Sequence, residues 1–306
     1  MPTVFEDFVA VPGVCEVVYT PPRAGAPTLL VELPHGATRT ADYEATRVRL
    51  TGTLPDNLEA FFYVNTDIGT PESAQWLGEA LAAEGYGTLI LRCLVPRTFI
   101  DCNRVVLGAP AGAVVDGLTP AFAAYIEEAA DQALLAEMHA SYHALTERAY
   151  RRLCGAGGLA LQLHSYAPRS VGIDRIDGQI VTALRRAYEA AVYETWPERP
   201  AVDLICADGE GTMWSSPELV GAVRAAFAAI NVDARENETY KLHPATMGYQ
   251  YARAYPGQVL CVELNRGLLA EPFVPFGESP ISPANVERMT RPLAVALSQA
   301  LARQVR

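Results

Sequence analysis

Five short apolar runs, Thr28–Leu33, Gly87–Cys93, Leu159–Leu163, Ala201–Ala207 and Gln258–Leu264, punctuate a chain whose other segments are mostly amphipathic. Each is too short for an ordinary buried helix and largely lacks polar alternation, the pattern of a strand covered on both faces. Strands separated by helices build an α/β domain, here with a mixed, mainly parallel sheet and helices on both faces. Ligands in such sheets bind beyond the carboxyl ends of the strands. Polar clusters fall at those ends: Pro34-His35-Gly36, His164-Ser165-Tyr166, Asp208-Gly209-Glu210 and Glu263-Leu264-Asn265-Arg266.

The helices are legible from their ends. Thr119-Pro120 offers an N-cap followed by proline at the first helical position, and the pattern then runs to Gly155. Others are expected over about Pro71–Glu84, behind Ser216-Pro217 and over Pro283–Val305, whereas Gly108–Gly117 and Pro168–Pro200 read as loops or excursions. No repeat, low-complexity tract or flexible linker divides the chain, so a single domain over residues 1–306 is expected.

Charge narrows the partners. With 24 Lys and Arg against 35 Asp and Glu, a net charge of −11 disfavours a phosphate backbone or an anionic membrane surface. No run of apolar residues is long enough for a membrane helix. The six cysteines form no CxxC pair and read as reduced, and Met1–Asp7 lacks a basic leader pattern; both point to the cytoplasm. An enzyme acting on a small molecule is the expectation.

Only five histidines are present, so each can be weighed. His35 and His164 each follow an apolar strand. Alone, either would be read as structural; together, at the carboxyl edge of one sheet, they suggest a metal site, since imidazole is a favoured zinc ligand. Asp67, in a loop after Phe61-Phe62-Tyr63-Val64, is the first choice for a third ligand, with Glu44 and Glu72 in reserve; a helix-cap or turn role competes. Glu263 ends an apolar strand and is either a general base or the partner of an arginine such as Arg266. Asn103-Arg104 reads as a clamp for a substrate carboxylate. Arg97 faces a developing oxyanion or that same anion, or else pairs with Asp101. His139 and His143 share a helix face but lack the HExxH glutamate, so they read as a half-buried pair rather than a second metal site. His243 touches substrate or faces solvent. No GxSxG elbow or Walker loop is present, Gly209-Glu210-Gly211 falls short of a dinucleotide fingerprint, and a Cys–His amidase would need an exposed thiol at Cys102.

The segments Pro34-His35-Gly36, Arg97 through Arg104, Tyr142-His143-Ala144-Leu145, Leu163-His164-Ser165-Tyr166 and Val262 through Arg266 come in an order that resembles the N-formylglutamate amidohydrolases. Asp208 through Thr212 and Asn237-Glu238-Thr239-Tyr240 are similar to that family's later loops, so the likeness spans about residues 30 to 270. It implies a zinc carboxypeptidase-like fold and one zinc ion on His35 and His164. It further implies Asn103 and Arg104 at the substrate carboxylate and Glu263 as general base, and draws His143 and Tyr240 to the substrate side. Three positions depart from the pattern: Thr38 replaces the glutamate of an HxxE pair, Gln162 replaces an aspartate, and Lys241-Leu242-His243-Pro244-Ala245-Thr246 replaces a Gly-Gly loop. The expected activity is zinc-dependent hydrolysis of a small N-acyl amino acid. A metallocarboxypeptidase acting on short peptides, or a non-catalytic carboxylate binder, is the alternative.

Overall fold

The computed structural model describes residues 5, 8–106, 118–173 and 175–304. The Gly108–Gly117 stretch and nearly all of Met1–Asp7 lie outside them. The elements run β1 (Cys15–Thr20), β2 (Thr28–Leu33), α1 (Thr40–Arg47), α2 (Leu58–Asn65), α3 (Thr70–Ala83), β3 (Gly87–Cys93), α4 (Ala129–Leu153) and β4 (Ala160–Tyr166). There follow α5 (Ile180–Ala187), α6 (Ala190–Tyr193), β5 (Val202–Ile205), α7 (Pro217–Ala228), β6 (Ala234–Glu236), α8 (Met247–Ala254), β7 (Val259–Asn265) and α9 (Pro283–Gln304).

The strands form one seven-stranded sheet in the order β1-β3-β2-β4-β7-β5-β6. Its centre, β3-β2-β4-β7, is parallel; β1 joins β3 and β5 joins β7 antiparallel, and β6 lies parallel to β5. The α/β class and mainly parallel sheet match the expectation. The short flanking strands β1 and β6 escape it because they are partly exposed and lack a continuous apolar run.

Successive side chains on a strand point to opposite faces. Leu29, Val31 and Leu33 of β2, Leu161 and Leu163 of β4, and Leu260, Val262 and Leu264 of β7 pack with α3, α7 and α9 in one apolar layer. The alternate positions face α2, α4, α5 and α8 across a second layer that includes Leu30, Ala160, Val259 and Cys261. On that second face the strands carry Glu32, Gln162, His164 and Glu263, all buried. Register aligns them: Glu32 pairs with Gln162 across β2 and β4, and His164 with Glu263 across β4 and β7. On the central strands β2 and β7 one face is thus apolar core, and the other turns polar toward the carboxyl edge.

Two sequence expectations need correction. Residues 119–128 are not helical, and α4 starts at Ala129. The backbone of 121 and 122 instead docks on the loop after β3, with Asp101 N donating to the Ala121 carbonyl at 2.8 Å and Ile100 bridging Phe122. The Pro168–Pro200 excursion holds two short helices, α5 and α6, with Ile180 and Leu184 buried against the second layer.

Candidate metal centre and its cavity

Two loops and the end of one strand bring His35, Asp67 and His164 together at the sheet edge. His35 sits on the turn after β2, where Gly36 leaves room for Arg92; a Cβ there would lie 2.7 Å from Arg92 Cγ. Asp67 lies between α2 and α3, in a turn completed by Gly69 at φ +81°, a backbone region favourable to glycine. His164 is still on β4. Asp67 Oδ2 lies 3.2 Å from His35 Nδ1 and 3.0 Å from His164 Nδ1, and its Oδ1 accepts from Arg266 Nη2 at 3.2 Å. One ligand atom from each of the three buried residues falls within 4.8 Å of the others.

The outer ring nitrogens settle which atoms face inward. His35 Nε2 donates to Asp101 Oδ1 at 2.8 Å, and His164 Nε2 donates to Gln162 Oε1 at 3.1 Å. With those protons on the outside, both Nδ1 lone pairs point at an ionised Asp67 oxygen. Such an arrangement needs positive charge at its centre, either as protons or as a cation, and a cation converts all three groups into ligands. Burial works against the charge on Asp67, but the charge interactions and hydrogen bonds of the neighbouring His35 and His164 hold its carboxyl well below the usual range. The donor set therefore fits a metal ion. Glu44 is exposed on α1, and Glu72 lies 3.9 Å from Arg39, so neither reserve carboxylate belongs to the buried cluster.

The cluster opens into a cavity of about 590 Å³, also lined by Arg97, Asn103, Arg104, Arg199, Tyr240 and Glu263. Glu263 stands beside His164 with Oε2 buried and unpartnered. Burial, together with the negative charge of Asp67, pushes its carboxyl up to about 7, against the pull of His164, Arg199 and Arg266. The competing ion pair with Arg266 is not formed: that guanidinium is engaged by Asp67 and by the Ser165 and Val64 carbonyls.

Asp101 organises the arginines. Its Oδ2 accepts from Arg97 Nη2 at 3.1 Å and lies 3.6 Å from Arg104 Nη1, while Oδ1 also accepts from Asn103 N at 2.8 Å. Burial opposes its ionisation, but Arg104, Arg97 and His35 hold it well below the carboxylate range. The structural reading of Arg97, a pair with Asp101, is therefore realised, although its side chain still lines the cavity. Arg104 is buried, and desolvation lowers its pKa more than Asp101 restores it, leaving a cation short of negative charge.

His143 is not on the cavity wall, contrary to the substrate-side expectation. Its ring stacks on His139 at 3.9 Å, and its Nε2 donates to the Cys102 carbonyl at 2.9 Å. His139 Nε2 does the same to the Arg104 carbonyl at 2.9 Å. The pair braces the Asp101–Arg104 loop from behind. Cys102 is fully buried, with its thiol pKa raised well above 9.0 by the hydrogen bond it donates to Cys93 and by burial, so it offers no exposed nucleophile.

Sequence reasoning missed Arg199. It emerges from the 168–200 excursion with its guanidinium between the rings of Tyr166 and Tyr240, 5.1 and 5.5 Å from their centroids. Nε donates to Ser170 Oγ at 3.0 Å and Nη2 to Tyr240 Oη at 3.1 Å. Among the described residues no carboxylate pairs with it. A single arginine inside a segment without periodicity carries no sequence signal. His243, with Lys241, also reaches the cavity wall.

Residues 28–270 match the model of the N-formylglutamate amidohydrolase family. The chain belongs to that family. A crystal structure of N-formylglutamate amidohydrolase from Ralstonia eutropha JMP134 is 19% identical and covers 94% of this chain and 97% of its own, with a TM-score of 0.51. A gene product of Agrobacterium tumefaciens is 15% identical over 94% of this chain and 95% of its own, also with a TM-score of 0.51. A putative carboxypeptidase A from Shewanella denitrificans overlaps more loosely, at 13% identity over 94% of this chain and 61% of its own, with a TM-score of 0.36. No curated protein sequence matches. Among the described residues of this family member, no helix is long and apolar enough to cross a membrane.

Proposed function

We propose that the protein is a zinc-dependent amidohydrolase that cleaves a small N-acyl amino acid of the N-formylglutamate type. The observation that carries this is the placement of Glu263, with an unpartnered buried oxygen, next to a His35–Asp67–His164 cluster on a cavity rich in arginine. His35, Asp67 and His164 would hold the zinc ion, which would supply Lewis acidity for the scissile carbonyl and for a water. Every other task falls to side chains of this chain.

Glu263 accepts a proton from the attacking water and returns it to the leaving amine, the work of a carboxylate whose pKa lies near neutrality. Arg97 stands at the cavity wall as the cation opposite the developing negative oxygen. Arg104 and Asn103 take the substrate carboxylate, and Arg199 adds a second cation that Asp101 does not engage. Tyr240 keeps Arg199 in place and forms part of the same wall. Small anionic substrates suit this pocket; nucleic acid and membrane surfaces do not suit a chain of net charge −11.

The test combines metal analysis with a substrate panel. Purified protein is expected to hold one zinc ion, His35→Ala and His164→Ala to lose it, and N-formyl and N-acetyl amino acids to be hydrolysed faster than dipeptides. Full metal content in both variants would remove the site. Preferential cleavage of peptides would turn the reading to a carboxypeptidase, and zinc without any turnover to a carboxylate-binding protein.

A further inference from the structure

Glu32 is the penultimate residue of β2, wholly buried, at a position where the strand pattern calls for an apolar residue. No arginine, lysine or histidine forms a salt bridge with it among the described residues. Three neutral donors serve it instead. Tyr142 Oη donates to Oε1 at 3.0 Å, Tyr150 Oη donates to Oε2 at 2.7 Å, and Gln162 Nε2 donates to Oε2 at 2.9 Å. The tyrosines come from α4, two turns apart, and the glutamine from the register partner on β4. A buried carboxylate without a counter-ion is costly, so its retention points to a task beyond packing.

That task can be read from the direction of the hydrogen bonds. Both oxygens of Glu32 are occupied as acceptors, so Gln162 turns its NH₂ toward Glu32 and its oxygen toward His164. Gln162 Oε1 then accepts from His164 Nε2 at 3.1 Å and from Cys261 Sγ at 3.5 Å. An imidazole that donates from Nε2 presents its Nδ1 lone pair to Asp67 and His35. The chain of donors thus sets the His164 tautomer from a carboxylate two side chains away. Space for the amide in this position comes from Gly248, where a Cβ would lie 2.6 Å from Gln162 Oε1.

We infer that Glu32 and Gln162 are positioning residues that lock His164 as a metal ligand through Nδ1. With Glu32→Gln the terminal group is no longer an obligate acceptor. The amide of Gln162 is then free to turn over and offer NH₂ to His164, which must answer with a bare Nε2 and a protonated Nδ1. That proton occupies the position a metal would take. The inference deepens the zinc reading above and rests on it only for its metal readout.

The experiment uses the full chain. In an Asp67→Ala background, which removes the carboxylate that competes for the Nδ1 proton, metal-free protein with Glu32 and Gln162 intact is compared with its Glu32→Gln and Gln162→Met versions at about pH 9, where imidazole is neutral, by long-range ¹H–¹⁵N NMR of His164; the zinc measurement keeps Asp67. Zinc affinity is then measured by competition with a chromophoric chelator. With Glu32 and Gln162 intact, His164 is expected to show the Nε2–H tautomer. Glu32→Gln should shift His164 toward Nδ1–H and weaken zinc roughly tenfold or more, the range seen when a ligand's supporting partner is lost. Gln162→Met, which removes the amide while leaving Glu32 with its tyrosines, should lose the tautomer bias and decide the matter if Glu32→Gln does not fold. The Nε2–H tautomer in both variants, or in the one that folds, overturns the proposal. If wild type binds no zinc, the metal reading fails while the tautomer measurement still decides this one.

Discussion

Asp101 holds His35 by the nitrogen that faces away from Asp67: its Oδ1 lies 2.8 Å from Nε2, while its Oδ2 accepts from Arg97 at 3.1 Å. One carboxylate therefore orients a metal-facing imidazole and anchors the arginines of the cavity. Asp101→Asn can serve only one of these sides. If its oxygen stays with His35 and the Asn103 amide, its NH₂ confronts Arg97 and Arg104, donors against donors. Zinc affinity is expected to fall about 10- to 100-fold, read by chelator competition, with wild-type affinity as the result that would count against Asp101 as an orienting group.

Glu263 should separate chemistry from metal binding. Glu263→Gln leaves the three-residue cluster untouched and is expected to keep zinc while losing about 10²- to 10⁴-fold in kcat. In the metal-free protein its carboxyl should titrate near pH 7 in a ¹³C NMR experiment, because burial favours the neutral acid. A cation at the cluster favours the carboxylate, so zinc should move that midpoint down. An ordinary carboxylate midpoint without metal, or no movement with it, would contradict a buried position beside the cluster.

The arginines should divide by kinetic parameter. A charge-assisted hydrogen bond to substrate contributes about 1.5–3 kcal/mol, roughly 10- to 100-fold in binding. Arg199→Met is expected to raise KM for an N-acyl amino acid by that factor with little change in kcat, since the carboxylate proposed to meet it takes no part in the bond cleavage. Arg97→Met should act chiefly on kcat if it meets negative charge that develops only in the transition state. The reverse pattern, measured by steady-state kinetics on one substrate, would exchange their roles.

Much of this arrangement is legible in the chain because strand periodicity makes it so. His35 and His164 stand out as polar residues closing apolar runs, and Glu263 interrupts one at a core-facing position. Asp67 is harder, since its loop is held by contacts remote in sequence, above all Arg266. The false helix start at Thr119-Pro120 has a physical cause. Its cap signal is locally sound, but the backbone at 121 and 122 bonds to residues 100 and 101 instead, so tertiary pairing overrides the local preference. Arg199 and the bracing role of His143 are set by long-range packing alone, which no spacing rule records.

The His139–His143 brace carries a pH dependence whose sign can be worked out. Burial and the neighbouring His139 lower the pKa of His143 from 6.5 to about 4. The folded protein therefore resists protonation there, whereas the unfolded chain accepts a proton below about pH 6.5. Stability is complete above that pH and lost as pH falls toward 4, a penalty of about 2 to 3 kcal/mol from this group near pH 4.5. His143→Gln retains an N–H donor for the Cys102 carbonyl but does not titrate. Urea unfolding of metal-free protein at pH 7 and 4.5 should thus show a smaller difference in the variant than in wild type. An equal difference would mean that the acid sensitivity lies in other groups and that the brace tolerates charge.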